Sequence, residues 1–142
     1  MTAAELDLGR NFVIRAEHDS DIIQYIIKFA EDNEIEIGTF MAIGALKNAK
    51  LGFYNQKEHE YQEMEIASPH EIASCLGNIS LKDKKPFVHA HAVLADESGE
   101  TRAGHLIGGT VFAAEIHLRE LKGPKLERKH DDVTDLSLWK ME

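Results

Sequence analysis

The sequence predicts a single α+β domain: a curved, mainly antiparallel sheet of about seven strands with one main amphipathic helix. One segment, 22–34, carries apolar residues at helical spacing, whereas most of the chain alternates apolar and polar residues between short turns. Several predicted strands also contain glycine, which indicates bulges or tight curvature. These glycines are Gly44, Gly52, Gly77, Gly108 and Gly109.

The N-terminal part predicts a strand followed by the helix. Residues 10–16 alternate, so that apolar side chains share one face of a first strand. Residues 19–21 are acidic or hydroxylated and suit a helix N-cap. The apolar positions that follow predict a helix of about four turns, ending near Glu34. These positions are Ile22, Ile23, Ile26, Ile27 and Ala30.

After Ile35 the pattern becomes that of β structure. Residues 38–44 and 49–54 are predicted to be strands separated by a turn at Lys47-Asn48. Residues 55–59 are predicted to form a hairpin tip, and 61–66 its returning strand.

The second half predicts a further strand and a long hairpin. Pro69 interrupts the pattern, and 71–81 is a mostly apolar strand. After a break at 83–86, residues 87–121 are predicted to form the hairpin. The domain therefore has a core from about residue 9 to residue 121.

The tail, 122–142, is predicted to be charged and irregular. Three apolar residues near its end could dock it on the body of the domain. They are Leu136, Leu138 and Trp139.

Composition limits the class of protein. The chain has 142 residues and a net charge of −9, which disfavours nucleic acid as a partner unless a basic subunit contributes. Its single cysteine, Cys75, excludes an intrachain disulfide and fits a reducing compartment. The first residues lack the features of a signal peptide, and no run approaches the roughly 18 apolar residues of a membrane span. A cytoplasmic location is expected.

The main candidate site is a group of three histidines, His89, His91 and His105. The first two are separated by one residue in an alternating segment, so both rings are predicted to leave the same face. A three-residue loop after Asp96, with Gly99 in the left-handed position, would join the two strands. That register places His91 opposite His105, with Cβ atoms about 4.5–5.5 Å apart.

The same register places His89 opposite Ile107. Three converging imidazoles predict a divalent transition metal with one open coordination position. Zinc fits such a set best, although nickel, copper and iron also accept three nitrogens. The chain contains 8 histidines, so a chance His-x-His pair is ordinary, and histidines with structural hydrogen bonds remain the alternative.

Three glycines near the third histidine are candidates for the backbone of a ligand pocket: Gly104, Gly108 and Gly109. Their missing side chains could leave space for a ligand, or allow a strand to bend or another backbone to approach. Catalytic residues are unknown at this point. Asp96 is near enough in sequence to act as a base, but the predicted turn uses its side chain. Cys75 is predicted to be a small core residue.

The histidine segments resemble a known family. Residues 87–96 and 104–111, with Gly99 between them and Glu115 after them, resemble the plant-and-prokaryote-conserved (PPC) domain, and the match extends over about 9–121. The resemblance implies a curved, largely antiparallel sheet and a homotrimer. It also implies that the three histidines hold a metal in prokaryotic members.

In plants this domain is joined to AT-hook segments that bind AT-rich DNA. This chain contains no Arg-Gly-Arg-Pro core and no basic arm, so DNA binding does not carry over to its residues. The expected function is a trimeric, metal-containing binding or regulatory module with an unknown small-molecule or protein ligand. The alternative is a metal-dependent enzyme that acts on a small molecule. A DNA-binding regulator rests on family analogy alone.

Overall fold

The computed structural model describes residues 3–140, which contain eight strands and one helix. The predicted α+β class is confirmed, with one strand more than the approximate seven. The elements are β1 Asp7–Arg15, α1 Ile22–Asp32, β2 Gly38–Asn55, β3 Glu60–Ile66, β4 His70–Lys82, β5 Lys85–Ala95, β6 Thr101–Lys122, β7 Glu127–Asp131 and β8 Leu136–Lys140.

Four antiparallel strands pair in a closed ring that forms the body of the domain. β2 lies between β6 and β4, and β5 closes the ring by pairing with both β4 and β6. The two long strands change partners along their length. The first part of β2 pairs with β4 and its last part with β3, whereas the first part of β6 pairs with β5 and its last part with β1. Apolar side chains from the ring strands and from β1 fill the core.

The helix covers this core through one apolar face. The side chain of Asp21 caps α1 by accepting hydrogen bonds from the backbone N–H groups of Ile23 and Gln24, at 3.0 and 2.9 Å. The helix ends at Asp32, earlier than predicted, because Glu34 adopts a left-handed φ of 56° and the chain turns there. Within residues 3–140, no helix is both long enough and apolar enough to cross a membrane.

The predicted turn at Lys47-Asn48 is wrong, because β2 continues through both residues. Its pairing with β6 shifts register between Leu46 and Asn48, so the polar pair lies at a bulge. Gly44 allows a second irregularity, with a φ of 136°; a Cβ there would lie 2.2 Å from the carbonyl oxygen of Ala113. The chain therefore bends within the single long strand β2, instead of turning between two short strands.

The tail is ordered differently from the sequence prediction. Residues predicted to be irregular form an antiparallel hairpin of β7 and β8. β7 also extends the sheet by a short parallel pairing with β4, in which Leu81 lies opposite Glu127 and Lys82 opposite Arg128. This pairing brings the hairpin beside the histidines of β5.

A buried carboxylate connects the ends of β1 and β6. Glu120 is 1% exposed and accepts hydrogen bonds from Arg10 Nε at 2.7 Å and from Lys122 Nζ at 2.6 Å. The backbone N–H of Arg10 also donates to it, at 3.1 Å. These bonds, above all those from the Arg10 side chain, lower the pKa of Glu120 to about 2.

We expect Glu120→Gln to destabilise the protein by about 1–3 kcal/mol at neutral pH, because it removes charge-assisted hydrogen bonds to a buried group. The pKa of Glu120 is lower in the folded state than the unfolded value of about 4.3, so its contribution is present above that pH and is lost as the pH falls towards 2. Urea unfolding at several pH values should show the two proteins converging in acid. Glu31→Gln, an exposed helix position, is the control; equal losses in both variants would contradict the argument.

Candidate metal centre

The β5–β6 hairpin has the predicted turn. The backbone N–H of Gly99 donates to the carbonyl of Asp96, and that of Asp96 to the carbonyl of Glu100, both at 3.0 Å. Gly99 adopts the left-handed φ of 82° that this loop requires. His91 therefore lies directly opposite His105, as predicted.

His89 does not lie opposite Ile107 as the predicted register required. Pairing between β5 and β6 ends at His91 and His105, because β6 then follows β2. A register shift of that second pairing leaves Ile107 as the extra residue of a bulge. His89 lies opposite Asn78 of β4 instead, and its ring still reaches the other two.

The three imidazoles converge. One nitrogen from each lies within 4.8 Å of the others, and the Nε2 atoms of His89 and His91 are 3.2 Å apart. Nitrogens bound tetrahedrally to one zinc ion, each at about 2.0–2.1 Å, lie about 3.3 Å from one another. Nδ1 of His105 is buried and has no hydrogen-bond partner within the described residues. The donor set and this unpaired nitrogen both fit a transition metal.

The protonation of the rings also fits. Burial lowers the pKa of His89 to about 4, and the neighbouring charges of His105, Arg128 and His91 act in the same direction. Burial, followed by the charge of His91, lowers the pKa of His105. Both rings are thus neutral at neutral pH, which is the state that binds a metal.

Two side chains from distant parts of the chain adjoin the histidines. Tyr61 of β3 packs against His105, with ring centroids 5.4 Å apart. A cavity of about 310 Å³ is lined by Tyr61, His89, His105 and Arg128, among others. Sequence reasoning missed both Tyr61 and Arg128, because they reach the site through pairings between strands far apart in sequence.

Two other candidates take structural roles. The Asp96 carboxylate accepts hydrogen bonds from the backbone N–H and hydroxyl of Ser98 and from the N–H of Glu100, so the turn uses it as expected. Cys75 is buried in the core, as predicted, and burial raises the pKa of its thiol to about 11. It is therefore not an activated nucleophile.

The three pocket glycines lie against other parts of the protein. A Cβ at Gly104 would lie 2.7 Å from the carbonyl oxygen of Gly52, and one at Gly108 would lie 2.6 Å from Asp21 Oδ2. The N–H of Gly109 donates to that same carboxylate oxygen, at 2.9 Å. A Cβ at each of the three glycines would therefore meet backbone or side-chain atoms of the protein, which gives a structural reason for glycine there.

Comparison with known proteins gives a consistent family and fold. The family model of the Plants and Prokaryotes Conserved (PCC) domain matches residues 3–122. The metal-containing protein AF0104 from Archaeoglobus fulgidus is similar, with 38% identity, a TM-score of 0.95, and coverage of 99% of this chain and 99% of that chain. No curated protein matches this chain.

Two further solved structures are similar. A plant- and prokaryote-conserved (PPC) protein from Pyrococcus horikoshii has 40% identity and a TM-score of 0.95, over 100% of this chain and 99% of that chain. A protein from Bacteroides thetaiotaomicron has 21% identity and a TM-score of 0.87, over 99% of this chain and 98% of that chain. At that identity the likeness shows the fold alone.

We expect Gly108→Ala to destabilise the protein by about 1–3 kcal/mol, because the new methyl group displaces the helix-capping carboxylate of Asp21. In an Asp21→Ala background, the same substitution should cost clearly less, since the clash is gone. Urea unfolding of the two single variants and the double variant measures this coupling. Additive losses would contradict the contact with Asp21, and a change in metal content without a change in stability would instead place Gly108 in a ligand pocket.

Proposed function

Because this chain belongs to the Plants and Prokaryotes Conserved (PCC) domain family, we propose that it is a cytoplasmic, homotrimeric binding module with one metal ion per chain. The observation that carries the proposal is the convergence of His89, His91 and His105. Nδ1 of His105, buried and without a partner in the described chain, would cost free energy in a purely structural cluster. A metal ion bound to this nitrogen would supply the missing partner.

Zinc is the proposed metal. Three imidazoles are a zinc ligand set that keeps a fourth position open, and the similar Archaeoglobus fulgidus protein is described as metal-containing. A bound zinc ion would supply a Lewis acid that polarises an oxygen ligand. The protein holds His105 in place through the hairpin register and the Tyr61 ring.

An exposed apolar face supports self-association. One row of paired residues crosses five strands: His91 lies opposite Leu76, Leu76 opposite Met41, Met41 opposite His117, and His117 opposite Val13. Leu76 is 60% exposed and Met41 56%, next to exposed Ile43. Contiguous exposed apolar surface of this kind marks an interaction site. We propose that copies of this chain cover it in a trimer.

A metal-dependent enzyme is the second candidate. One observation favours it: the 310 Å³ cavity is lined by both His89 and His105, so a small molecule there could reach the ion. The chain's net charge of −9 continues to argue against DNA as the ligand. The module and the enzyme differ in whether the bound molecule is changed.

Elemental mass spectrometry on untagged, chelator-free protein should find about one transition metal ion per chain, as a three-histidine site predicts. A triple variant, His89→Ala, His91→Ala and His105→Ala, should contain almost none because it lacks the ligands. His18→Ala, which removes an exposed histidine elsewhere, should keep the metal. If the unaltered protein stays free of metal after incubation with zinc, the histidines are structural.

Light scattering after size exclusion should give a mass three times that of the 15.9 kDa chain. Met41→Glu should shift the protein to smaller species, because a carboxylate would be buried in the apolar contact. Val133→Glu is the control, since Val133 is exposed in the β7–β8 turn and belongs to none of the five strands of the row. A monomer in the unaltered protein at micromolar concentration would overturn the trimer.

A further inference from the structure

The strongest unused feature beside the histidines is a buried cation. Arg128 is 8% exposed. Its guanidinium donates to Ser80 Oγ at 2.9 Å, to Asn78 Oδ1 at 3.0 Å and to the carbonyl of Ser137 at 3.0 Å, which are all uncharged acceptors. No ion pair within residues 3–140 includes Arg128. Buried charges in proteins are normally paired, so this position favours an anionic ligand.

The guanidinium is held in a defined orientation. Its carbon lies 5.3 Å from the ring centroid of Phe87 and 5.2 Å from that of Trp139. Arginine has five N–H donors, and three are used by the protein, which leaves two for a ligand. A fixed fork with free donors suits a planar carboxylate, which it can bind with two hydrogen bonds.

Arg128 adjoins the proposed metal centre. The 310 Å³ cavity has His89, His105 and Arg128 in its wall. A second cavity, of about 690 Å³, shares His89 and Arg128 with the first. A molecule that contacts Arg128 in the smaller cavity is therefore beside two of the three imidazoles, and an ion held by them would border the same space.

The walls carry an excess of positive charge although the chain has a net charge of −9. In the smaller cavity, Arg128 and Lys82 face one acid, Asp135. In the larger one, Arg128 and Lys140 face one acid, Asp131, while the third cation, Lys129, is paired with Glu127. The smaller cavity also has apolar walls.

The apolar walls are Phe87, Leu136 and Leu138. A small cavity with apolar sides and a few convergent polar groups favours an organic molecule over an inorganic ion. The ligand that matches charge, shape and wall chemistry together is a small organic carboxylate.

We propose that this site binds a small organic carboxylate, whose carboxyl group pairs with Arg128 while a second oxygen reaches the metal ion. The contact with the ion rests on the proposed function; the contact with Arg128 does not. Arg128 is thus a binding residue that sets the charge of the ligand.

Thermal unfolding with pyruvate as the probe tests this proposal in zinc-free and zinc-loaded protein. Pyruvate, at about twenty times its Kd, should raise the Tm by about 3–6 °C because it binds only the folded state. Its methyl ester, which has nearly the same shape without the charge, should give no shift. Inorganic phosphate should give less than pyruvate; a larger shift with phosphate would overturn the assignment to an organic carboxylate.

Arg128→Lys keeps the positive charge but loses the planar fork, so it should lose most of the pyruvate shift while retaining its metal. Arg102→Lys, at an exposed position of β6, is the matched control and should keep the shift. Arg128→Lys also loses the hydrogen bonds to Ser80 and Asn78, which join the C-terminal hairpin to β4. Lys82→Gln leaves those bonds in place. Because it removes a positive charge from the wall of the smaller cavity, it should independently reduce the rise in Tm that pyruvate causes.

The outcomes separate this proposal from the proposed function. A shift that depends on Arg128 in protein that takes up no zinc would support the carboxylate site and reject the metal centre. If the protein takes up zinc and pyruvate raises the Tm of Arg128→Lys as much as that of the unaltered protein, the metal centre stands. The carboxylate site is then overturned. A lower Tm in Arg128→Lys with an undiminished shift would mean that Arg128 only anchors the hairpin.

Discussion

The candidate site depends on the register of the β5–β6 hairpin. Side chains of a strand alternate between its two faces, so a shift of one residue would turn His105 into the core and Leu106 outwards. The Asp96 carboxylate fixes the loop by accepting hydrogen bonds from Ser98 and Glu100. A turn with no role in binding therefore decides whether three imidazoles can meet.

The site lies where the ring of strands changes partners. β6 leaves β5 immediately after His105 and continues along β2, where Gly52 lies opposite His105. The bulge at Ile107 absorbs this change, so His89 has no partner on β6. His89, which is not paired with β6, lines the cavity together with His105. The end of the β5–β6 pairing and the cavity wall thus lie at the same place in the sheet.

The part of the site that could be predicted is the part that is local in sequence. His91 and His105 are joined by one turn whose residues specify its geometry, so their register followed from the chain itself. Arg128 reaches the site only because β7 pairs with β4 at two residue pairs, and no pattern in the tail indicates that pairing. The prediction of a turn at Lys47-Asn48 was wrong for a related reason. A polar pair at a bulge and a polar pair at a turn have the same sequence, and only the partner strand distinguishes them.

The charge state of the site connects its two proposed ligands. Burial keeps His89 and His105 neutral, so an ion bound to them would retain its full charge. A carboxylate among the ligands would have neutralised part of that charge, but the cluster contains only histidines. Arg128 adds a further positive charge that the described chain does not pair. Each positive group disfavours the other in a site of low polarity, and an anion between them relieves both. With the proposed ion in place, this arrangement would therefore favour a negatively charged ligand, whether or not that ligand is then transformed.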